Sequence, residues 1–382
     1  MKSFCPKNSV AIVLIPALLF GLIGCDTHKP SATTYASTTT TMVIVPNEPN
    51  TVWDKMANDF TFKAHQTNPR VERFIKQYSR ENFNQLVTVS KQAAPYLYHV
   101  VNTLQERGLP AELALLPMIE SEYRTTATSK RGAVGLWQLA AMTGRINGLK
   151  QDQWYDGRKD IDAATKVALN HLEYLYNRFN HDWLMALAAY NAGDARVAAA
   201  IRNNKKAGKP TDYWSLNLPQ ETQYFVPKFL SLVYLIKNYR SLDINLETVP
   251  NKPYFGKVKL SKQIHLEHAA KLAEVDVKEV KRLNAAYRSH ITHPNGPHDI
   301  VLPLHQIATF KANLAALASI PKTTTPKQVQ IAQNTTGQTV HVVNRGDTLH
   351  LIASKYKTTV KSIKHKNNLS SDIIRSGQKL SI

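Results

Sequence analysis

Between residues 53 and about 240, apolar positions recur at three- and four-residue intervals, the spacing of helices that bury one face. The pattern predicts helices over 53–62, 71–78 and 83–107. Gly108-Leu109-Pro110 interrupts it, and Pro110 suits the first turn of the next helix, where the missing amide hydrogen costs nothing. Asp160 or Asp162 would cap a helix running to Phe179, and Asn180 or Asp182 one containing WLMALAAYNAG. The period changes at the C-terminus. Val340, Val342 and Val343 begin a strand, Thr348 can cap a helix holding Leu349, Ile352 and Tyr356, Val360 and Ile363 mark a second helix, and SGQKLSI ends on a strand. A shift of 83 positions lays residues 269–284 over 352–367, matching Ala270 to Ala353, Val277 to Val360 and Asn284 to Asn367. Strands near Val258 and residues 300–302 would complete a second copy of the same unit; the alternative is a plain helical extension.

Two stretches lack this patterning. Residues 26–50 are rich in Thr, Ser and Pro and read as a flexible tether, with a root-mean-square span of roughly 25 to 30 Å. Residues 321–338 read as a second linker. Before the tether, Lys2 and Lys7 precede an uncharged apolar stretch from 10 to 23, short for a membrane span and suited to an export signal. It ends in LIGC, which resembles the bacterial lipobox, so Cys25 is expected to carry a lipid anchor; an ordinary secretory signal with a chance cysteine is the alternative.

With 382 residues and 43% hydrophobic content, the chain has material for two or three cores. A formal charge of +20 calls for a polyanionic partner, though the export signal disfavours nucleic acid. The two cysteines, Cys5 and Cys25, leave none downstream for a disulfide framework, a zinc finger or a thiol nucleophile. His290, His293 and His298 fit no strong ligand template, and phosphate-loop and G-x-S-x-G motifs are lacking, so neither a metal nor a cofactor is expected.

The candidate chemistry sits in ALLPMIESEY, residues 114–123. An isolated Glu after an apolar run ordinarily ends a helix in water. Should Glu120 instead share the environment of Leu115, Leu116, Met118 and Ile119, its ionised form is penalised and it becomes a proton donor near neutral pH. Four blocks follow in order: ATSKRGAVGLWQL, TGRINGL, ALAAYNAGDARV and ETQYFVPKFL. Gly132 and Gly135 flank a turn where backbone can approach a bulky sugar; Trp137 offers either a flat sugar-facing surface or core packing, and Tyr190 and Asn191 precede Gly193 at a helix end.

Together these blocks resemble the soluble lytic transglycosylase family. The resemblance implies a lysozyme-like, mainly helical catalytic domain acting on peptidoglycan glycan strands. It makes Glu120 the catalytic acid and Ser121, Gln138, Tyr190, Asn191 and Tyr224 the residues that orient sugar and acid. Glu122 replaces a small residue; on a helix it would face about 200° away from Glu120 and stay solvated. The C-terminal unit resembles a LysM module, a small strand-helix-helix-strand α+β fold that binds N-acetylglucosamine polymers. The implied contacts are Gly346, Asp347, Thr348, Asn368, Leu369 and Ile373; Lys366 stands where an apolar or aromatic residue is usual. Eight Lys or Arg against Asp347 and Asp372 make the unit basic. The earlier copy lacks the Gly-Asp-Thr turn, which points to structure rather than sugar binding.

The expected organisation is signal peptide 1–24, tether 25–52, N-terminal helical extension 53–100, catalytic domain 101–245, degenerate LysM-like domain 251–320, linker 321–338 and LysM domain 339–382. The activity expected is cleavage of the bond between N-acetylmuramic acid and N-acetylglucosamine with 1,6-anhydro ends; the alternative is a non-catalytic peptidoglycan-binding lipoprotein. The address is the bacterial envelope, facing the periplasm. Resemblance favours the outer membrane, whereas Asp26 beside Cys25 points to the inner one.

Overall fold

A computed structural model describes residues 51–62, 65–296, 298–319, 340–344, 347–356 and 358–382. The signal, Cys25, the tether up to residue 50, the 321–338 linker and Gly346 lie outside the described residues, while Thr51 and Val52, expected to end the tether, belong to the first helix and its cap. The first helix, α1 (Val52–Asn58), starts at Thr51, whose hydroxyl accepts from the Asp54 amide, and α2 (Pro69–Arg80) starts at Asn68. The helix predicted over 83–107 is in fact two, α3 (Asn84–Ala93) and α4 (Leu97–Glu106). Pro95 lies at the break, since its ring removes an amide donor and clashes with the preceding turn. Pro110 also differs from expectation: extended at ψ 129, it precedes a 3-10 turn (Ala111–Leu115) rather than entering it.

That turn leads into α5 (Leu116–Glu120), followed by α6 (Ala141–Ile146), α7 (Ile161–Arg178), α8 (Trp183–Ala192), α9 (Asp194–Lys206) and α10 (Gln220–Lys237). Of the alternative caps, Asp160 accepts from the Ala163 amide and Asp182 from those of Leu184 and Met185. A single core joins residues 52–249 with Leu283 and Val301 of the next unit, and Trp53, Leu104, Leu115, Trp137, Leu172 and Phe229 are among its fully buried members. The expected boundary between residues 100 and 101 falls inside α4, and residues 53–100 share one core with the segment that follows. Trp53 Nε1 donates to Glu247 O at 2.9 Å, closing start against end.

The next unit is β1 (Phe255–Val258), α11 (Leu266–Ala273), α12 (Val277–Leu283) and β2 (Ile300–Pro303), with α13 (Ile307–Ser319) packed on α11. Its strands pair antiparallel, Phe255 opposite Pro303 and Val258 opposite Ile300. The C-terminal unit repeats the order as β3 (Val340–Val342), α14 (Leu349–Lys355), α15 (Val360–Lys366) and β4 (Lys379–Ser381), again antiparallel. One side chain shows the repeat most directly. Asn284 ends α12 and exchanges hydrogen bonds with the backbone of Val301, and Asn367 ends α15 and does the same with Ser381. Among the described residues no helix is long and apolar enough to cross a membrane.

Candidate active site

Glu120 is the last residue of α5, a single turn whose first residues follow directly from the 3-10 turn, so Pro117 breaks no earlier ladder. Leu115, Leu116 and Met118 are buried beneath it and Glu120 itself is half-buried. Among the described residues no hydrogen bond reaches its carboxyl group. Burial therefore penalises the ionised form without compensation, and together with the nearby negative charge of Glu221 lifts its pKa to about 8.

Beyond Glu120 the chain turns sharply: Glu122 and Tyr123 are both left-handed, at φ 52 and 59. Such conformations cost non-glycine residues about 1 to 2 kcal/mol each, so something must hold them. Tyr123 is buried and donates its hydroxyl to Ala114 O at 2.7 Å, and its amide donates to Pro117 O at 3.0 Å. Ser121 is buried too, its hydroxyl donating to Leu136 O at 2.7 Å. With that proton committed to backbone, Ser121 fixes the acid's turn against loop 132–139. The helical angle assigned to Glu122 also fails, because α5 has already ended; its carboxylate turns to Arg124 at 3.6 Å.

Loop 132–139 is the other wall. Gly132 and Gly135 have positive φ, but the close approach at Gly135 is to protein rather than sugar: a Cβ there would lie 2.0 Å from Arg158 O. The buried Arg158 guanidinium, paired with Asp156 at 2.9 Å, donates to Gly132 O at 3.0 Å and Leu139 O at 3.3 Å. Trp137 is 0% exposed and donates to Thr165 Oγ1 at 2.9 Å, so it is a core residue and not a sugar platform. Gln138 is half-buried at φ 48, its amide nitrogen donating to Gly135 O at 2.9 Å.

From α8, the Tyr190 hydroxyl donates to Trp137 O at 2.7 Å, and burial together with the Glu120 charge raises its pKa well above that of an ordinary phenol. Asn191 Oδ1 accepts from Thr222 Oγ1 at 2.7 Å, tying α8 to the first turn of α10. Tyr224 stands apart. It is 39% exposed, accepts from Gln220 Nε2 at 3.0 Å and lies against Phe74 and Arg73 of α2, with no hydrogen bond to Glu120 among the described residues. Around Glu120 the structure thus places Tyr190, which its charge reaches and whose hydroxyl holds the loop next to Gln138, on a frame supplied by Ser121, Tyr123 and Arg158. It also holds Glu221, which sequence reasoning missed.

Three family descriptions match the chain: Transglycosylase SLT domain over residues 98–212, Lytic transglycosylase MltD, LysM-like domain over 254–319, and LysM domain over 341–382. Membrane-bound lytic murein transglycosylase D of Escherichia coli K12 is 36% identical over 318 residues, covering 82% of this chain and 69% of the relative. This chain belongs to that family. Peptidoglycan transglycosylase gp16 of Escherichia phage T7 is 35% identical over 79 residues, 20% of this chain and 6% of the phage protein. The 70 kDa soluble lytic transglycosylase of Escherichia coli aligns at 21% identity and a TM-score of 0.32, covering 49% of this chain and 32% of that one.

In this transglycosylase D relative the second unit is the family's LysM-like domain, matching the degenerate repeat expected over 251–320. In the C-terminal LysM module the residues singled out divide by role. Thr348 accepts from the Leu351 amide as a helix cap, and Asp347 accepts from the Asn344 amide and lies 2.8 Å from His341 Nε2, which holds it below the usual carboxylate range. Both hold the turn. Asn368 is exposed in a left-handed turn, Leu369 is half-buried, and Ile373 is 78% exposed, leaving an apolar side chain free to meet a sugar. His293 lies 3.1 Å from Asp152 Oδ2 and 2.9 Å from Lys150 Nζ, while its Nδ1 accepts from the Asn295 amide.

Proposed function

We infer that the chain is a peptidoglycan lytic transglycosylase that cuts between N-acetylmuramic acid and N-acetylglucosamine and leaves 1,6-anhydromuramic acid ends, with Glu120 as its acid and base. The observation that carries this reading is one half-buried carboxyl group, protonated near neutrality, at the lip of a braced loop. Enzymes that hydrolyse glycosides ordinarily need two carboxylates across the bond. Here Glu122 turns to Arg124 at 3.6 Å, and Glu221, whose charge adds to the Glu120 shift, is exposed and lies 3.8 Å from Arg131, so the buried carboxyl group at the site is that of Glu120. A single acid suffices if the substrate supplies the nucleophile.

Glu120 protonates the glycosidic oxygen, the bond from muramyl C1 to that oxygen breaks, and the N-acetylglucosamine 4-hydroxyl leaves. The muramyl acetamido oxygen bonds C1 meanwhile. The Glu120 carboxylate then takes the proton of the C6 hydroxyl, O6 displaces the acetamido oxygen from C1, and Glu120 is acidic again. No water is consumed. Gln138, Tyr190 and Asn191 bound the space in which the sugar must sit. Mass spectrometry of fragments released from purified sacculi tests this: anhydro ends are expected, reducing-end muramic acid would mean that water attacks, and no release at all would favour a binding protein.

The envelope is the place of action, with Cys25 as lipid anchor to the outer membrane and Ile373, Asn368 and Leu369 as glycan contacts of the LysM module. Two tethers raise local substrate concentration without new contacts at Glu120. Either Cys25→Ser or deletion of residues 339–382 should slow turnover of sacculi several-fold and leave short soluble fragments unaffected; equal loss on both substrates argues against tethering.

A further inference from the structure

Between the catalytic body and the LysM-like module lies a cavity of about 580 Å³ that Glu120, Gln138, Tyr190 and Asn191 do not line. One wall is residues 123–126, which begin three residues beyond Glu120, at most about 11 Å of chain. The other is α12 and the turn after it. Arg124, Lys159, Lys278, Lys281, Arg282 and Arg288 line the space, and no carboxylate does.

The walls are fastened together. Thr125 and Tyr96 hydroxyls both donate to Arg282 O, at 3.2 and 3.4 Å. The Arg288 amide donates to Trp154 O and that of Asp156 to Ala286 O, both at 2.9 Å. Four of the cations have partners: Arg124 with Glu122, Lys281 with Glu267, Arg282 with Glu279 and Arg288 with Asp156. Lys159 and Lys278 line the same space and have no carboxylate partner among the described residues. The tyrosines Tyr96, Tyr123 and Tyr287 add flat surface with polar edges.

A carboxylate-bearing chain of a few residues fits this chemistry, and a glycan strand of peptidoglycan brings one with it: the peptide borne by muramic acid. We propose that the cleft holds the carboxylates of such stem peptides while Glu120 acts on a neighbouring glycosidic bond, a proposal that rests on the peptidoglycan-cleaving reading above. Attraction of this kind is screened by salt.

The test measures binding of the full chain in a Glu120→Gln background, so that strands stay whole. The probes are soluble glycan strands with free stem-peptide carboxylates and the same strands with those carboxylates converted to amides. Free carboxylates should bind more tightly, and K159A/K278A should cut that preference about three- to ten-fold, as two modest charge pairs would. A K205A/K206A control removes the same charge from the exposed end of α9. The proposal falls if the preference survives K159A/K278A, or drops equally in the control. Wild-type protein that releases no anhydro fragments would instead strike the reaction and leave the binding comparison standing.

Discussion

Replacing Glu120 by Gln should lower turnover about a hundred- to ten-thousand-fold while leaving glycan binding in place, the range that a positioned general acid-base contributes. Gln keeps the shape and removes the transferable proton, so anhydro ends should vanish from the products with no change in affinity. The pH dependence has a definite sign. Burial, with Glu221 adding, sets the acid at about 8 in the folded chain against 4.5 for an ordinary glutamate. The acid form is needed for the first proton transfer, so turnover should fall as pH rises through about 8. Stability follows the same linkage. A folded-state pKa raised above the unfolded one gives stability that is complete below about 4.5 and is lost progressively up to about 8. Glu120→Gln lacks that loss, so its advantage in thermal unfolding should grow by roughly 1.4 kcal/mol per pH unit across this window. Activity flat to pH 10, or a stability difference independent of pH, would show that Glu120 is not the buried acid.

Gly135→Ala should cost about 2 to 5 kcal/mol and most of the activity. The left-handed backbone at φ 84 alone is worth about 1 to 2 kcal/mol against alanine. A Cβ 2.0 Å from Arg158 O cannot be accommodated without moving backbone, which is overpacking of the severe kind. The displaced loop carries Leu136 O, the acceptor for Ser121, and Trp137 O, the acceptor for Tyr190, so the turn behind Glu120 and the Tyr190 hydroxyl move together. Gly132→Ala is the control. It shares the positive φ of 78 but has open space around its Cβ, so it should lose only the backbone part and keep turnover. Urea unfolding and turnover of the two variants decide the matter; equal losses would mean that the contact with Arg158 is unimportant.

Both predictions concern interactions that the linear pattern conceals. The periodicity located the helices, and Asp160 and Asp182 cap where capping rules placed them, because cap and ladder form within four residues. Pro95 was overlooked for the opposite reason: apolar spacing continues through it from 83 to 107, while the broken ladder is a backbone effect. The 83-residue shift identified Asn284 and Asn367 as equivalent, and the same strand-clamping bonds at both bear that out. For Trp137 the sequence left sugar surface and core packing open, and only the fold chose the core, since nothing local reveals that Thr165 awaits its indole inside, or Leu136 O the hydroxyl of Ser121.

What the sequence determined by itself is what short-range forces and residue order can write: helices with their caps, a twice-repeated strand-helix-helix-strand unit, a cationic chain, and a Glu-Ser pair followed by the blocks of a glycan-cleaving family. What only the tertiary structure decided is the state of each group. Desolvation depends on every atom nearby, so the proton on Glu120 is held by residues from α5 and by Glu221, some hundred positions on. The core that joins residues 52–249 with Leu283 and Val301, the Arg158 brace and the carboxylate-free cleft likewise arise where distant segments meet, and no period along the chain encodes that meeting.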